Sequence, residues 1–161
     1  MSVKDQVRMV PFQEEYLDDC VRIALTVWKG IHDAYSDELG QELHDAVMGG
    51  WQERLRAAIA EQQRTCRSFV AMLDDQVVGF CACRREGELG VVGYNGVDPK
   101  YRGNGIASLM YNRLFEEMKA MGATHARVMT GGDPGHAPAR KAYEKAGFEK
   151  HLTSVTYYKE L

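Results

Sequence analysis

The chain has 161 residues, which at about 150 residues per domain indicates one domain spanning 1–161. With 45% apolar and 27% charged residues it has enough apolar residues for a core and a solvated surface. No apolar run approaches the roughly 18 residues of a membrane span, and the start of the chain has no signal-peptide h-region. A formal net charge of −3 without a basic run argues against nucleic-acid binding. We therefore expect a soluble, cytoplasmic domain with neither membrane nor nucleic-acid partners.

The four cysteines carry little functional signal. Cys20, Cys66, Cys81 and Cys83 contain no C-x-x-C pair. Cys81 and Cys83 would share one face of a strand, where disulfide geometry is not easily met, and no nearby histidine completes a zinc shell. We expect buried thiols in a reducing compartment and no metal site.

The first half of the chain predicts a short strand followed by helices. Val7, Met9 and Pro11 alternate with other residues, as at a strand end. Apolar residues then recur at helical spacing between residues 12 and 63, with an interruption at Gly49-Gly50.

The middle of the chain predicts three strands. Residues 68–73 and 77–84 flank a polar turn and form a hairpin pattern. Residues 88–97 predict a third strand, loosened by Gly90, Gly93 and Gly96. Glycine inside a strand often marks a bulge or a close approach of another group.

The last part of the chain predicts two helices and two strands. An apolar row of Ile106, Met110, Leu114 and Met118 indicates a helix closed by Gly122. A strand over 125–130, a glycine-rich loop, a short helix closed by Gly147 and a last strand over 153–158 follow.

The junction before the first of these helices suits an anion. A helix N-terminus offers N–H groups without intrahelical partners, and Gly103 and Gly105 let that backbone approach a phosphate, with Arg102 adding a charge. A tight turn without a ligand is the alternative. No Gly-Lys-Ser/Thr tripeptide supports a P-loop, and Ser108 replaces the last glycine of a dinucleotide motif.

Two segments resemble the GNAT superfamily of acyl-CoA-dependent N-acyltransferases. Residues 102–107, Arg-Gly-Asn-Gly-Ile-Ala, are similar to its signature Arg/Gln-x-x-Gly-x-Gly/Ala, and residues 97–101 before them are also family-like. Residues 136–148 resemble the family's Asn-x-x-Ala-x-x-x-Tyr-x-x-x-Gly-Phe, with His136 in place of Asn. The resemblance implies an α/β fold with a mixed, mostly antiparallel central sheet and helices on both sides.

The resemblance also implies acetyl-CoA as the acyl donor. Its pantetheine arm would insert between the third strand and the next one as a pseudo-strand. The implied cofactor-binding residues are Val97, Arg102, Gly103, Asn104, Gly105, Ile106, Ala107, His136 and Ala139. A loop histidine that points away from the cofactor is the alternative at position 136.

Tyr143 is the catalytic residue that the resemblance implies, as the acid that protonates the departing thiolate; a core tyrosine is the alternative. For the base that takes the amine's proton we select Glu88, with Tyr94, Asn95, solvent or a merely exposed hairpin charge as alternatives. Trp28, His32 and Tyr35 lie at helical spacing and are expected either to line the acceptor site or to pack in the core.

The expected function is transfer of an acetyl group to a primary amine by direct attack in a ternary complex. A noncatalytic acyl-CoA sensor, a domain with an empty cleft and a longer acyl donor are alternatives. Small amines, amino acids, antibiotics, peptide termini and protein lysines are all open as acceptors, and a homodimer is open as an assembly.

Overall fold

A six-stranded sheet with helices on both faces organises the computed structural model, which describes residues 1–161. The strands are β1 Arg8–Pro11, β2 Arg67–Leu73, β3 Gln76–Glu86, β4 Leu89–Val92, β5 Gly96–Val97 and β6 His125–Arg127. The helices are α1 Val3–Gln6, α2 Leu17–Leu39, α3 Gln41–Met48, α4 Trp51–Thr65, α5 Ile106–Ala120 and α6 Ala137–Lys145. None of the helices has the length and apolar composition needed to cross a membrane.

The strand order is β1-β2-β3-β4-β6, and β5 also pairs with β3. Every pairing is antiparallel except that of β4 with β6, which is parallel. The expected fold class, mixed and mostly antiparallel with helices on both sides, is confirmed.

Two buried apolar clusters, one on each face of the sheet, hold the helices in place. On one face, residues of α2 and α4 such as Ile23 and Ile59 pack against Val70 and Phe80. On the other face, the predicted apolar row of α5 packs against the sheet, including Cys81 and Cys83. The two cysteines share a face as expected, and all four thiols are free.

The expected third strand is interrupted between β4 and β5. In the gap, Gln62 of α4 takes the role of a neighbouring strand: its Oε1 accepts from the Tyr94 N–H at 2.7 Å, and its Nε2 donates to the Tyr94 carbonyl at 2.9 Å. A Cβ at Gly93 would overlap the Gln62 carboxamide. The glycine is therefore required by a close approach, here of a side chain from the same chain.

The C-terminal prediction is wrong in two respects. The strand expected over 125–130 ends at Arg127, and residues 153–158 form no strand. Those residues alternate as a strand does, with Val155 and Tyr157 mainly exposed, but they pair with no edge of the sheet. Alternation alone does not supply the partner that a strand needs.

Candidate active site

A row of unpaired N–H groups lies at the start of α5. Gly103 and Gly105 adopt φ values of +78° and +77°, which turn the chain sharply before the helix begins. The six backbone N–H groups from Gly103 to Ser108 donate to no backbone or side-chain acceptor of the protein. Together with the helix dipole they form a concentrated donor site for an anion.

The side chains around this loop add positive charge. Arg102 is exposed at its mouth. A Cβ at Gly105 would lie 3.2 Å from Cδ of Lys4, so the Lys4 side chain packs on the same turn. Asn104 stabilises the loop itself, because its Nδ2 donates to the Tyr101 carbonyl at 2.9 Å.

An open strand edge adjoins the loop. β4 and β6 pair only from Leu89–His125 to Val91–Arg127, and beyond Val91 the two chain segments separate. The Asp98 N–H donates to the Val78 carbonyl, so the alternation of the antiparallel pair turns the N–H and C=O of Val97 away from β3. Val97 thus presents backbone hydrogen-bonding groups to the cleft between the separated segments.

Three side chains from different elements meet in this part of the molecule. Tyr143 of α6 and Tyr111 of α5 are only 8% and 3% exposed, with ring centroids 5.5 Å apart. Asn95 Nδ2 lies 3.2 Å from the Tyr143 hydroxyl, and the Tyr111 hydroxyl lies 3.0 Å from Asn95 Oδ1. Burial raises the pKa of Tyr143, and hydrogen bonding by Asn95 and by Tyr111 opposes it only partly, so the Tyr143 phenol is protonated at neutral pH.

His136 is the N-cap residue of α6, where its Nδ1 lies 2.7 Å from Asp133 Oδ1. Arg140 holds the preceding loop through the Gly131 and Asp133 carbonyls, each at 2.7 Å. With Nδ1 engaged, only Nε2 of the ring is left for a further hydrogen bond. Ala139 lies half-buried one turn further along α6.

Trp28, His32 and Tyr35 follow one another along α2 but contact different partners. The Trp28 and Tyr94 rings contact each other edge to face, with their centroids 5.6 Å apart, beside the strand interruption. Tyr35 donates to Asp133 Oδ1 at 3.4 Å, and burial followed by the charge of Asp133 raises the pKa of Tyr35 to about 12.

His32 lines a cavity of about 650 Å³ between α2, α3 and the start of α4. The His32 ring stacks on the Trp51 ring with their centroids 4.1 Å apart, and His32 Nδ1 lies 3.2 Å from His44 Nε2. Burial, and then the neighbouring His44, lower the pKa of His32. Most of the cavity lining is polar, including Ser36 and Gln41.

Glu88 is not brought to this site. It is exposed at the turn before β4, the end of the strand opposite to Asn95. Its carbonyl accepts from Thr124 and His125, which ties that turn to the start of β6.

Sequence reasoning missed Lys4, Gln62, Tyr111 and Asp133 as contributors to the site. Each is far along the chain from the group it contacts: Tyr94 lies 32 residues from Gln62, and Asp133 lies 98 residues from Tyr35. Only the glycine at position 93 signalled such a contact, without identifying the partner.

Comparison with known proteins assigns the family. Residues 28–148 match the acetyltransferase (GNAT) family, and the chain belongs to it. It is 35% identical over 81 residues to an acetyltransferase of Sodalis glossinidius, a match covering 50% of this chain and 56% of that protein. The chain therefore matches little more than half the length of that relative.

Two further comparisons extend over nearly the whole chain. N-alpha-acetyltransferase 30 of Schizosaccharomyces pombe is 26% identical over 157 residues, covering 94% of this chain and 90% of that protein. Aminoglycoside N-acetyltransferase AAC(6')-Iy in complex with CoA superimposes with a TM-score of 0.67 at 16% identity, covering 96% and 95% of the two chains. The structural likeness demonstrates a shared fold.

Proposed function

We propose that this protein transfers an acetyl group from acetyl-CoA to a primary amine. The observation that carries the proposal is the row of six unpaired N–H groups from Gly103 to Ser108, which leads directly to the open edge at Val97. A pyrophosphate on those donors and a pantetheine arm along that edge would satisfy both sets of polar groups. Arg102 and Lys4 add charge at the phosphate end, and His136 Nε2 and Ala139 border the arm.

The chemistry is direct attack in a ternary complex. The amine nitrogen bonds to the thioester carbonyl carbon, and the developing oxyanion accepts the N–H of Val97. The carbon–sulfur bond then breaks, and Tyr143 gives its proton to the departing CoA thiolate. The nitrogen that has attacked releases its extra proton to a base or to solvent, and solvent returns a proton to the Tyr143 phenolate. The products are the acetylated amine and the free thiol of CoA.

The acceptor binds beside Trp28, with its body extending past His32 and Tyr35. Trp28 and Tyr94 flank the strand interruption next to Asn95. His32 lies one turn after Trp28 on α2 and lines the polar cavity. Glu88 stays a prediction as the base, although its side chain faces solvent at the other end of β4. Small amines, including aminoglycosides, and peptide N-termini are the acceptor classes to test.

Calorimetric titration with acetyl-CoA tests the donor site. Arg102→Ala is expected to weaken binding about tenfold, because it removes a charge-assisted contact to a phosphate. Arg56→Ala, at another exposed arginine, on α4, should bind acetyl-CoA as the unaltered protein does. Absence of binding to the unaltered protein would overturn the proposal.

Tyr143→Phe tests the chemical step. Turnover at saturating acetyl-CoA is expected to fall about a hundredfold while acetyl-CoA affinity stays within a factor of two. Release of free thiol is followed with kanamycin, spermidine and a short peptide as acceptors. Tight acetyl-CoA binding without thiol release from any amine would instead favour a noncatalytic sensor.

A further inference from the structure

We infer that Asn95 is a positioning residue that makes Tyr143 a proton donor, by occupying a lone pair of its hydroxyl and leaving its proton free. The inference rests on the proposed function and concerns the direction of one hydrogen bond. It assigns roles to Asn95 and Tyr111.

The orientation of the Asn95 carboxamide follows from its neighbours. Its Nδ2 lies 3.0 Å from the Gly93 carbonyl, which only accepts hydrogen bonds. The nitrogen must therefore occupy that position, and the opposite assignment of the amide would place two acceptors together. Oδ1 is then the atom that faces Tyr111, whose hydroxyl donates to it at 3.0 Å.

This orientation dictates what Tyr143 does. The second hydrogen of Nδ2 points to the Tyr143 hydroxyl at 3.2 Å, so the phenol oxygen accepts from Asn95. A phenol has one proton and two lone pairs, and this bond uses a lone pair. The Tyr143 proton is therefore not used in the hydrogen bond with Asn95. It is free to be donated to another acceptor, and the departing thiolate would be that acceptor.

The backbone aims Asn95 at this point. Gln62 binds both backbone polar groups of Tyr94. The Gly93 N–H still donates to the Ala82 carbonyl of β3, so Tyr94 and Asn95 are the residues that leave the β3 ladder, and the Asn95 side chain lies between α5 and α6. Tyr111 and Tyr143 are the titratable side chains bonded to Asn95, and both are buried. A carboxylate introduced at position 95 would thus act directly on Tyr143.

Asn95→Asp is the main test, because a carboxylate accepts the proton that the amide leaves free. We expect a new inflection in the pH profile of kcat, with turnover falling at least tenfold as pH rises through the pKa of the introduced carboxyl and recovering below it. Asn95→Ala should lower kcat about tenfold without that inflection. The KM for acetyl-CoA should stay within about twofold in both variants.

Asn112→Asp is the matched control, since Asn112 is exposed on α5 next to Tyr111 and has no side-chain partner. It should reproduce the kcat and pH profile of the unaltered protein. Tyr111→Phe provides a milder second test that removes one hydroxyl: kcat should fall several-fold at unchanged KM, because Asn95 Oδ1 loses its donor. Thermal unfolding verifies that each variant is folded.

Turnover is measured as CoA thiol release with the best amine of the panel, or with water as acceptor. If Tyr143→Phe retains full turnover, the proposed acid step itself fails. If Tyr143→Phe is impaired but Asn95→Asp and Asn95→Ala both behave as the unaltered protein, the proposed step stands and the role of Asn95 is overturned.

Discussion

At the scale of single residues, the absence of a side chain at Gly93 allows Gln62 of α4 to hydrogen-bond the backbone next to β4. Gln62 reaches Tyr94 only because no Cβ stands at Gly93. The contact interrupts the strand and brings Asn95 to Tyr143. A glycine selected for packing thus determines the geometry of the candidate active site.

Gly93→Ala is expected to lower the free energy of unfolding by about 2 kcal/mol, because the added methyl overlaps Gln62 and breaks its bonds to Tyr94. Turnover should fall as well, since Asn95 moves with the displaced backbone. Gly132→Ala, where an added Cβ meets nothing within 4 Å, should change stability by less than about 0.5 kcal/mol. Urea denaturation of both variants gives the comparison; equal stability would contradict the proposed overlap.

At the scale of secondary-structure elements, Asp98 connects α2 to the turn that precedes the glycine loop at residues 102–107. It is 6% exposed, and its Oδ2 accepts from Arg22 at 2.9 Å while its Oδ1 accepts from the Lys100 N–H at 3.1 Å. Burial by itself raises the pKa of this carboxyl, but the hydrogen bonds from Arg22 and Lys100 outweigh it, and the net pKa is lowered. The pair holds the loop against α2.

The lowered pKa predicts an acid-dependent contribution to stability. A carboxyl with a folded pKa below the unfolded value of about 3.9 stabilises the fold above that pH, and the contribution is lost as pH falls through the folded pKa. Asp98→Asn should therefore cost about 2 kcal/mol at pH 7. The difference from the unaltered protein should shrink below about pH 4.

Urea unfolding at pH 7, 5, 4 and 3 measures this difference directly. Asp37→Asn serves as the control, because Asp37 is an exposed residue of α2, the helix that carries Arg22, and has no ion-pair partner. A difference between Asp98→Asn and the unaltered protein that stays constant from pH 7 to pH 3 would refute the linkage.

Some secondary-structure elements could be predicted from the sequence pattern and others could not. The α5 apolar row and the Arg102–Ala107 loop were predictable because both depend on neighbours within a few residues. The strand over 153–158 was predicted wrongly, since its alternation specifies two faces but no pairing partner.

At the scale of the whole molecule, the two-sided burial of the sheet determines which thiols can react. Cys20 belongs to α2 and packs in the cluster between the sheet, α2 and α4, whereas Cys81 and Cys83 lie under α5, and all three are at most 1% exposed. Burial raises the pKa of Cys20 to about 12 and that of Cys83 to about 11, and it also raises the pKa of Cys81. Cys66 is half-buried at the end of α4.

The native protein should accordingly show one fast-reacting thiol towards Ellman's reagent at pH 8, and four in denaturant. Cys66→Ser should abolish the fast reaction. Two or more fast thiols in the native protein would contradict the burial of the sheet cysteines. The result also sets the background for thiol-release assays.

The sequence by itself determined the amphipathic helices, the glycine turn before α5 and the resemblance to the GNAT family, because each depends on local pattern or short spacing. Only the tertiary structure decided which groups meet. The chain places Gln62 beside Tyr94, and Asn95 between Tyr111 and Tyr143, across separations of 32, 16 and 48 residues. It also placed Glu88 at the far end of β4 from that site. Such contacts follow from how whole elements pack on the sheet, which no local pattern encodes.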